Sequence, residues 1–192
     1  MHYQKKINWE EQWALHSPSF EKGKAHISLQ AGDRFPLSPG PGFGDGSHPT
    51  TQLMLALLPQ YVPGQIVFDI GCGSGILSIA AAKQDASKVY ACDIDPRAEA
   101  HTRENASLCR VKVQFDVPIA FSQKPLVLMN MIGSEQKKAW SNHKTPFHRL
   151  ITSGVLLSEK DSYLNFAKEN NWHLESIKES KGWLALVFKE NQ

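Results

Sequence analysis

From residue 63 onward, short apolar runs alternate with stretches whose apolar positions recur at helical spacing, and this alternation predicts repeated strand–helix units. The runs at 65–70, 88–93, 111–115, 125–130, 149–153, 172–178 and 183–189 predict seven strands. Between them, 76–84, 97–108, 134–143 and 159–170 predict helices; in the first of these, Ile79, Ala80 and Ala82 are small or apolar enough to pack closely on a sheet. Asp95 and Pro96 supply a cap and a first-turn proline for the second helix. Glu179-Ser180-Lys181-Gly182, between the last two runs, is short enough for an antiparallel hairpin. The expected fold class is α/β: a doubly wound, mostly parallel seven-stranded sheet ending in an antiparallel hairpin.

The first third of the chain follows a different pattern. Asn8 is a possible cap for a short helix that places Trp9 and Trp13 on one side, a strut packed on the domain surface. Pro36, Pro39, Pro41, Gly40, Gly42, Gly44 and Gly46 crowd the stretch 31–46, which predicts a loop with no regular element and with freedom to move. Ser47-His48-Pro49-Thr50-Thr51 then opens a helix whose apolar side is Leu53, Met54, Leu57, Leu58 and Tyr61. The chain thus divides into an N-terminal helix, linker and Pro/Gly-rich loop at 1–46 and a main domain at 47–192.

Composition narrows the function classes. The 192 residues suit one domain with a real core, and 41% apolar with 21% charged residues is ordinary for a globular chain. The formal charge of +2 arises from 21 basic and 19 acidic residues that are well mixed. Lys5-Lys6 and Lys137-Lys138 are only pairs, so no basic stripe supports nucleic-acid binding. Cys72, Cys92 and Cys109 are odd in number and lack C-x-x-C spacing, as expected of small buried residues in a reducing cytosol. No stretch reaches the ~18 apolar residues of a membrane span, and the polar N-terminus has no signal-peptide core. A cytoplasmic monomer is the expectation.

The candidate chemistry lies at 66–76, where the run Ile-Val-Phe-Asp-Ile ends in Asp69 and is followed by Gly71, Gly73 and Gly75. Strand, glycine turn and helix in that order cradle a ligand at the helix N-terminus, because the missing Cβ atoms allow close backbone approach and positive φ. Ser74-Gly75-Ile76-Leu77 excludes the Gly-Lys-Ser/Thr ending of a P-loop, and Ile76 stands where the dinucleotide fingerprint needs its third glycine. What remains favours S-adenosylmethionine over NAD, or else a glycine turn with no ligand. Asp93, at the end of the next strand, is placed to accept from ribose hydroxyls. The N-terminus of the helix after Pro49 can receive a carboxylate with help from Thr50 and Thr51. His48 is open to three readings: base, metal ligand, or cap; no second ligand stands at metal spacing, so no metal is expected.

Asp69-Ile70-Gly71-Cys72-Gly73-Ser74-Gly75 within this topology resembles the class I, Rossmann-like S-adenosylmethionine-dependent methyltransferases. Within them, Gly44-Asp45-Gly46-Ser47-His48-Pro49-Thr50-Thr51 resembles the G-T-G-x-H-P-T-T segment of the enzymes that methylate the eleventh protein of the large ribosomal subunit. Asp93-Ile94-Asp95-Pro96, Asn130-Met131-Ile132, Ser153-Gly154-Val155-Leu156 and the closing Gly182-Trp183 strand are similar to further segments of that family, over about residues 8–189.

By position, the resemblance implies that Thr51, Gly71, Asp93 and Asn130 contact the cofactor, with Gly73 and Gly75 completing the glycine turn. Thr51 would reach the methionine carboxylate, and Asn130 would be the catalytic residue, orienting the cofactor or the incoming nitrogen. Asp69 is suited to the cofactor's amino group; Asp116 is suited either to the adenine amine or to a plain surface turn. The resemblance implies a protein lysine N-methyltransferase with a protein substrate, a ribosomal protein among the options. A small-molecule methyltransferase and a non-catalytic cofactor-binding homologue are the alternatives; Met131-Ile132 in place of Pro-Pro-aromatic argues against modification of a nucleic-acid base. Two departures stand out. Residues 1–46 are too few for the family's separate recognition domain, which is expected to be absent. Asp45 replaces a threonine, and its carboxylate is expected near the cofactor, to repel the methionine carboxylate or attract a substrate ammonium.

Overall fold

The computed structural model describes residues 7–30 and 32–190; the Lys5-Lys6 pair lies outside them. Among the described residues the main sheet has six strands: β4 (Ile66–Ile70), β5 (Lys88–Cys92), β6 (Leu126–Asn130), β7 (Arg149–Leu156), β8 (Trp172–Ser180) and β9 (Trp183–Glu190), in the order β5-β4-β6-β7-β9-β8. β5, β4, β6 and β7 are parallel, while β9 runs antiparallel to both neighbours. The sheet is therefore mostly parallel with a closing hairpin, as expected, but one strand short. The run at 111–115 makes only a single parallel bridge, Tyr90↔Gln114. Gln114 exchanges two backbone bonds with Val89 and Ala91, and among the described residues the pairing goes no further.

All five residues of β4 are buried, as a strand with covered faces on both sides requires. Alternate side chains enter two cores. Val67, Leu126, Leu128, Ile151 and Val187 pack beneath α2 (Pro49–Tyr61) and α3 (Ile76–Lys83). Phe68, Ile70, Val127, Met129 and Leu186 pack against Trp140 of α5 (Gly133–His143) and Tyr163 and Ala167 of α6 (Lys160–Glu169). The hairpin turn is Lys181-Gly182, both at positive φ (51° and 79°), the two-residue geometry that matches strand twist.

The N-terminal third is more ordered than its composition predicts. After α1 (Trp9–His16), capped by Asn8 as expected, come β1 (Phe20–Glu21), β2 (Lys24–Ser28) and β3 (Arg34–Leu37), forming a small antiparallel sheet. The expectation of a loop without regular structure at 31–46 fails for 34–37. Pro36 is tolerated because β3 is an edge strand, where the absent N–H opposes no partner. Ala25 and Ile27 of β2 with Phe35 and Leu37 of β3 present one apolar face to the same core as α2 and α3. Trp13 is buried in that core rather than resting on the surface. No helix among the described residues is long and apolar enough to cross a membrane.

Candidate active site

The carboxyl ends of β4, β5 and β6 open onto a cleft of about 850 Å³, the position at which open α/β sheets take ligands. Its floor is the glycine turn between β4 and α3. Gly71, Gly73 and Gly75 have φ of 80°, 58° and 84°, and Gly75 is the left-handed N-cap of α3. The protein itself already fills the space a Cβ would take: Met131 Cε at Gly71, the Phe43 carbonyl at Gly73 and Thr102 at Gly75. The glycines thus serve interior packing as well as an open floor, and only Gly71 and Gly73 line the cleft.

Asp93 ties this turn to α4 (Pro96–Leu108): Gly73 N donates to its Oδ2 at 3.0 Å and Asp95 N to its Oδ1 at 2.9 Å. Each oxygen keeps a lone pair, and the side chain lines the cleft, so hydroxyl donors can still be accepted. Asp69 lies below the turn and does not line the cleft. It is 1% exposed and accepts from Ser78 Oγ at 2.5 Å. Burial, reinforced by the charge of Asp93 and opposed by the Ser78 bond, pushes its carboxyl up to about 6. Asp116 sits on an exposed bend and is absent from the cleft wall.

Asn130 ends β6 at the opposite wall. Its Nδ2 donates to Thr51 Oγ1 at 3.2 Å, which fully buries Thr51 behind it and leaves the cleft surface to Thr50. Its Oδ1 is buried with no hydrogen-bond partner in the protein. An unpaired buried acceptor costs about 1–3 kcal/mol, a cost that a donor from a ligand in the cleft would remove.

His48 proves to be the N-cap of α2: its Nδ1 accepts from Thr50 N and meets Thr50 Oγ1 at 2.8 Å. With Nδ1 accepting, the neutral ring carries its proton on Nε2, and burial holds its pKa below the usual value against the opposing pull of Asp45. The ring lies between Phe43 (centroids 5.7 Å apart) and Trp183 (5.1 Å), and all three line the cleft. Sequence reasoning missed Phe43 and Trp183 as wall residues, since β9 brings Trp183 alongside only through antiparallel pairing with β7.

The segment 38–46 is fastened to the glycine turn rather than free. Ser74 N donates to the Phe43 carbonyl at 2.9 Å and Ser74 Oγ to the Gly44 carbonyl at 2.6 Å. From α4, His101 accepts from Gly42 N at 3.2 Å through Nδ1 and contacts the Ser38 carbonyl at 2.7 Å through Nε2; Asn105 bridges Ser38 N and the Ser74 carbonyl. Asp45 is also placed otherwise than expected. Its Oδ1 accepts from Ser47 N at 2.9 Å and Ser47 Oγ at 2.6 Å, a local turn outside the cleft wall.

An open parallel sheet with a glycine turn after its first strand, a carboxylate after its second and an antiparallel closing hairpin defines the Rossmann-like class to which solved methyltransferases belong. The magnesium protoporphyrin IX methyltransferase of Synechocystis PCC 6803, solved with bound SAM, shares the fold at TM-score 0.57 and 19% identity, over 73% of this chain and 79% of that one. The chain belongs to the ribosomal protein L11 methyltransferase (PrmA) family, whose model matches residues 18–191. It is 38% identical over 165 residues to the ribosomal protein L11 methyltransferase of Oceanobacillus iheyensis, covering 80% of this chain and 52% of the relative. With that of Thermotoga maritima it shares 34% identity, covering 81% and 62% respectively. The ribosomal protein L11 methylase of Lactobacillus delbrueckii subsp. bulgaricus superposes with TM-score 0.70 at 26% identity, over 81% of this chain and 84% of that one. The chain spans about half the length of most of the curated relatives it matches.

Proposed function

We propose that the cleft binds S-adenosylmethionine and that the chain methylates a lysine side chain of a protein, with ribosomal protein L11 the first substrate to test. The observation that carries this reading is the unpaired Asn130 Oδ1, a buried acceptor on a residue that lines the cleft together with Gly71 and Gly73. The Asp93 lone pairs would hold the ribose, the Gly71 and Gly73 backbone would let the cofactor lie close, and Thr50 at the start of α2 would meet its carboxylate, with Thr51 behind it holding Asn130. Asp69, beneath the turn, would act on the cofactor amine through water. When bound, the sulfonium supplies an already activated methyl group, so alignment and exclusion of water are the tasks left to the protein.

Asn130 Oδ1 accepts an N–H of the incoming amine and so directs its lone pair. Phe43, His48 and Trp183 exclude water from that amine, and desolvation favours its neutral form over an ammonium of ordinary pKa about 10.4. Phe43, Ile94 and Ile132 leave apolar surface exposed at the mouth (56%, 86% and 51%), which suits a macromolecular acceptor better than a small polar one. This reading makes the chain a cytoplasmic monomer acting on protein and not on nucleic acid, supported by its mixed surface charge. Incubating the chain with labelled cofactor and purified L11, then locating added methyl groups by mass spectrometry, tests it. Methyl groups on lysine side chains are expected; transfer only to small molecules or RNA would replace the reading.

A further inference from the structure

Gln136 is a buried amide that the proposed chemistry leaves unused. It stands in the first turn of α5 with no exposed surface. Its Nε2 donates to the Met131 carbonyl at 2.7 Å and the Ser153 carbonyl at 2.9 Å, and its Oε1 accepts from the hydroxyls of Thr152 and Tyr163. Two N–H groups and two lone pairs are all the amide has, so every valence is satisfied. Helix formation does not require this: a leucine would fill the position with no polar group to satisfy, whereas a buried amide is costly as soon as one bond is lost.

What the four bonds fix is the turn that follows Asn130. Gly154, at φ +101° in the bulge where β7 shifts register against β9, lets the Met131 carbonyl approach so closely that any Cβ there would overlap it. On its other side, Met131 Cε fills the space over Gly71. Residue 131 is thus pinned by its carbonyl to the β7–α5–α6 junction and by its side chain to the glycine turn. Asn130, one residue earlier, is itself held by the longer 3.2 Å bond to Thr51. The direction of Oδ1 therefore depends on the backbone that Gln136 grips.

We propose that Gln136 is the positioning residue for Asn130, setting the orientation of its side-chain amide at the cleft wall through the Met131 carbonyl. The importance of that orientation rests on the proposed function; the coupling itself does not. Gln136→Met keeps length and approximate volume while removing all four bonds. Gln136→Glu keeps the acceptors for Thr152 and Tyr163 but donates to Met131 only when protonated, and a carboxyl buried at this place titrates above the usual range. Tyr163→Phe leaves the Gln136–Met131 bond intact and serves as the control.

Gln136→Met is expected to lower kcat on the order of 10-fold or more with cofactor affinity held within about 3-fold. Gln136→Glu should approach wild-type turnover at low pH and lose it as pH rises, and Tyr163→Phe should keep kcat within about 3-fold. A Gln136→Glu profile parallel to wild type, or Tyr163→Phe as damaging as Gln136→Met, overturns the assignment. A second readout needs no substrate: the side-chain amide resonances of Asn130, assigned by their loss in Asn130→Ala, should shift or broaden in Gln136→Met and not in Tyr163→Phe. Unchanged resonances overturn the inference even in an active enzyme. Perturbed resonances in Gln136→Met, together with a wild-type chain that transfers no methyl group to protein, uphold the coupling and remove the proposed function. Should Gln136→Met fail to fold, Gln136→Glu compared across pH decides by the same two readouts.

Discussion

Two hollows lie at opposite ends of the parallel strands, and they differ in how their polar groups are satisfied. The hollow at the amino ends, about 540 Å³, is rich in charge: Lys124, Arg149 and Lys189 line it. Each cation has an anion, Lys124 with Glu190 at 2.7 Å and Arg149 and Lys189 with Glu175 at 2.7 and 3.1 Å. The cleft at the carboxyl ends spreads its charges over a larger and mostly uncharged lining, but contains a buried acceptor with no partner and a carboxylate, Asp93, that lines the wall while stapling the glycine turn. Charge density therefore does not mark the functional end of this sheet. Nor does an unmet hydrogen-bonding requirement alone, since the Gln84 amide at the end of α3 is also buried without a partner; Asn130 differs in lining the cleft, where a ligand could pair its Oδ1.

The contrast is most directly broken at Asn130. Asn130→Ala is expected to reduce methyl transfer on the order of 10² to 10³-fold, the scale seen when a positioned polar group is removed from a reacting centre. Thermal stability should hold or rise, because the unpaired Oδ1 disappears with the side chain. Steady-state kinetics with parallel thermal melts reads both; equal loss of activity and stability would show that Asn130 is a structural member of the wall.

Asp69 sharpens the comparison from beneath the cleft. Burial raises its carboxyl to about 6 in the fold against 3.8 for an ordinary aspartate, so the folded state binds the proton more tightly and stability falls as pH rises through this window. The contribution is fully favourable below pH 3.8 and is lost above about 6, amounting to about 3 kcal/mol. Asp69→Asn does not titrate, and its stability advantage over wild type should grow between pH 4 and 7 in denaturant melts. A constant difference across that range would contradict the burial argument.

The smallest effect is expected at the paired hollow. Glu175→Gln should cost about 0.5–1 kcal/mol, shrink with added salt and leave methyl transfer unchanged. Altered kinetics in this variant would erase the distinction between the two ends.

The central strand–glycine–helix unit was legible because its signals are local: five apolar residues ending at the glycines, Asp95 and Pro96 opening α4, and Lys181-Gly182 closing a hairpin. Even the capping reading of His48 needed only its neighbours. The N-terminal sheet was hidden because Pro36 and the following glycines outweighed the alternation of Ala25, Ile27, Phe35 and Leu37, which becomes visible once all four share a core. The seventh strand was over-read: 111–115 alternates as a strand should, but an edge with a single bridge is decided by what lies beside it. Trp183 meets His48 from 135 positions away and His101 fastens Gly42 from 59, while Gln136 acts on Met131 and Ser153 through backbone carbonyls common to every residue. No periodicity reports such contacts.

The measurement that bears most directly on the account is isothermal titration of S-adenosylmethionine and its demethylated product into the wild-type chain and Asp93→Ala. The cleft as described predicts binding near the micromolar range, about −8 kcal/mol, that disappears when the Asp93 carboxylate is removed. Binding equal in both proteins, or to neither, would contradict it: the first would put the cofactor elsewhere, and the second would leave the glycine turn a purely structural device.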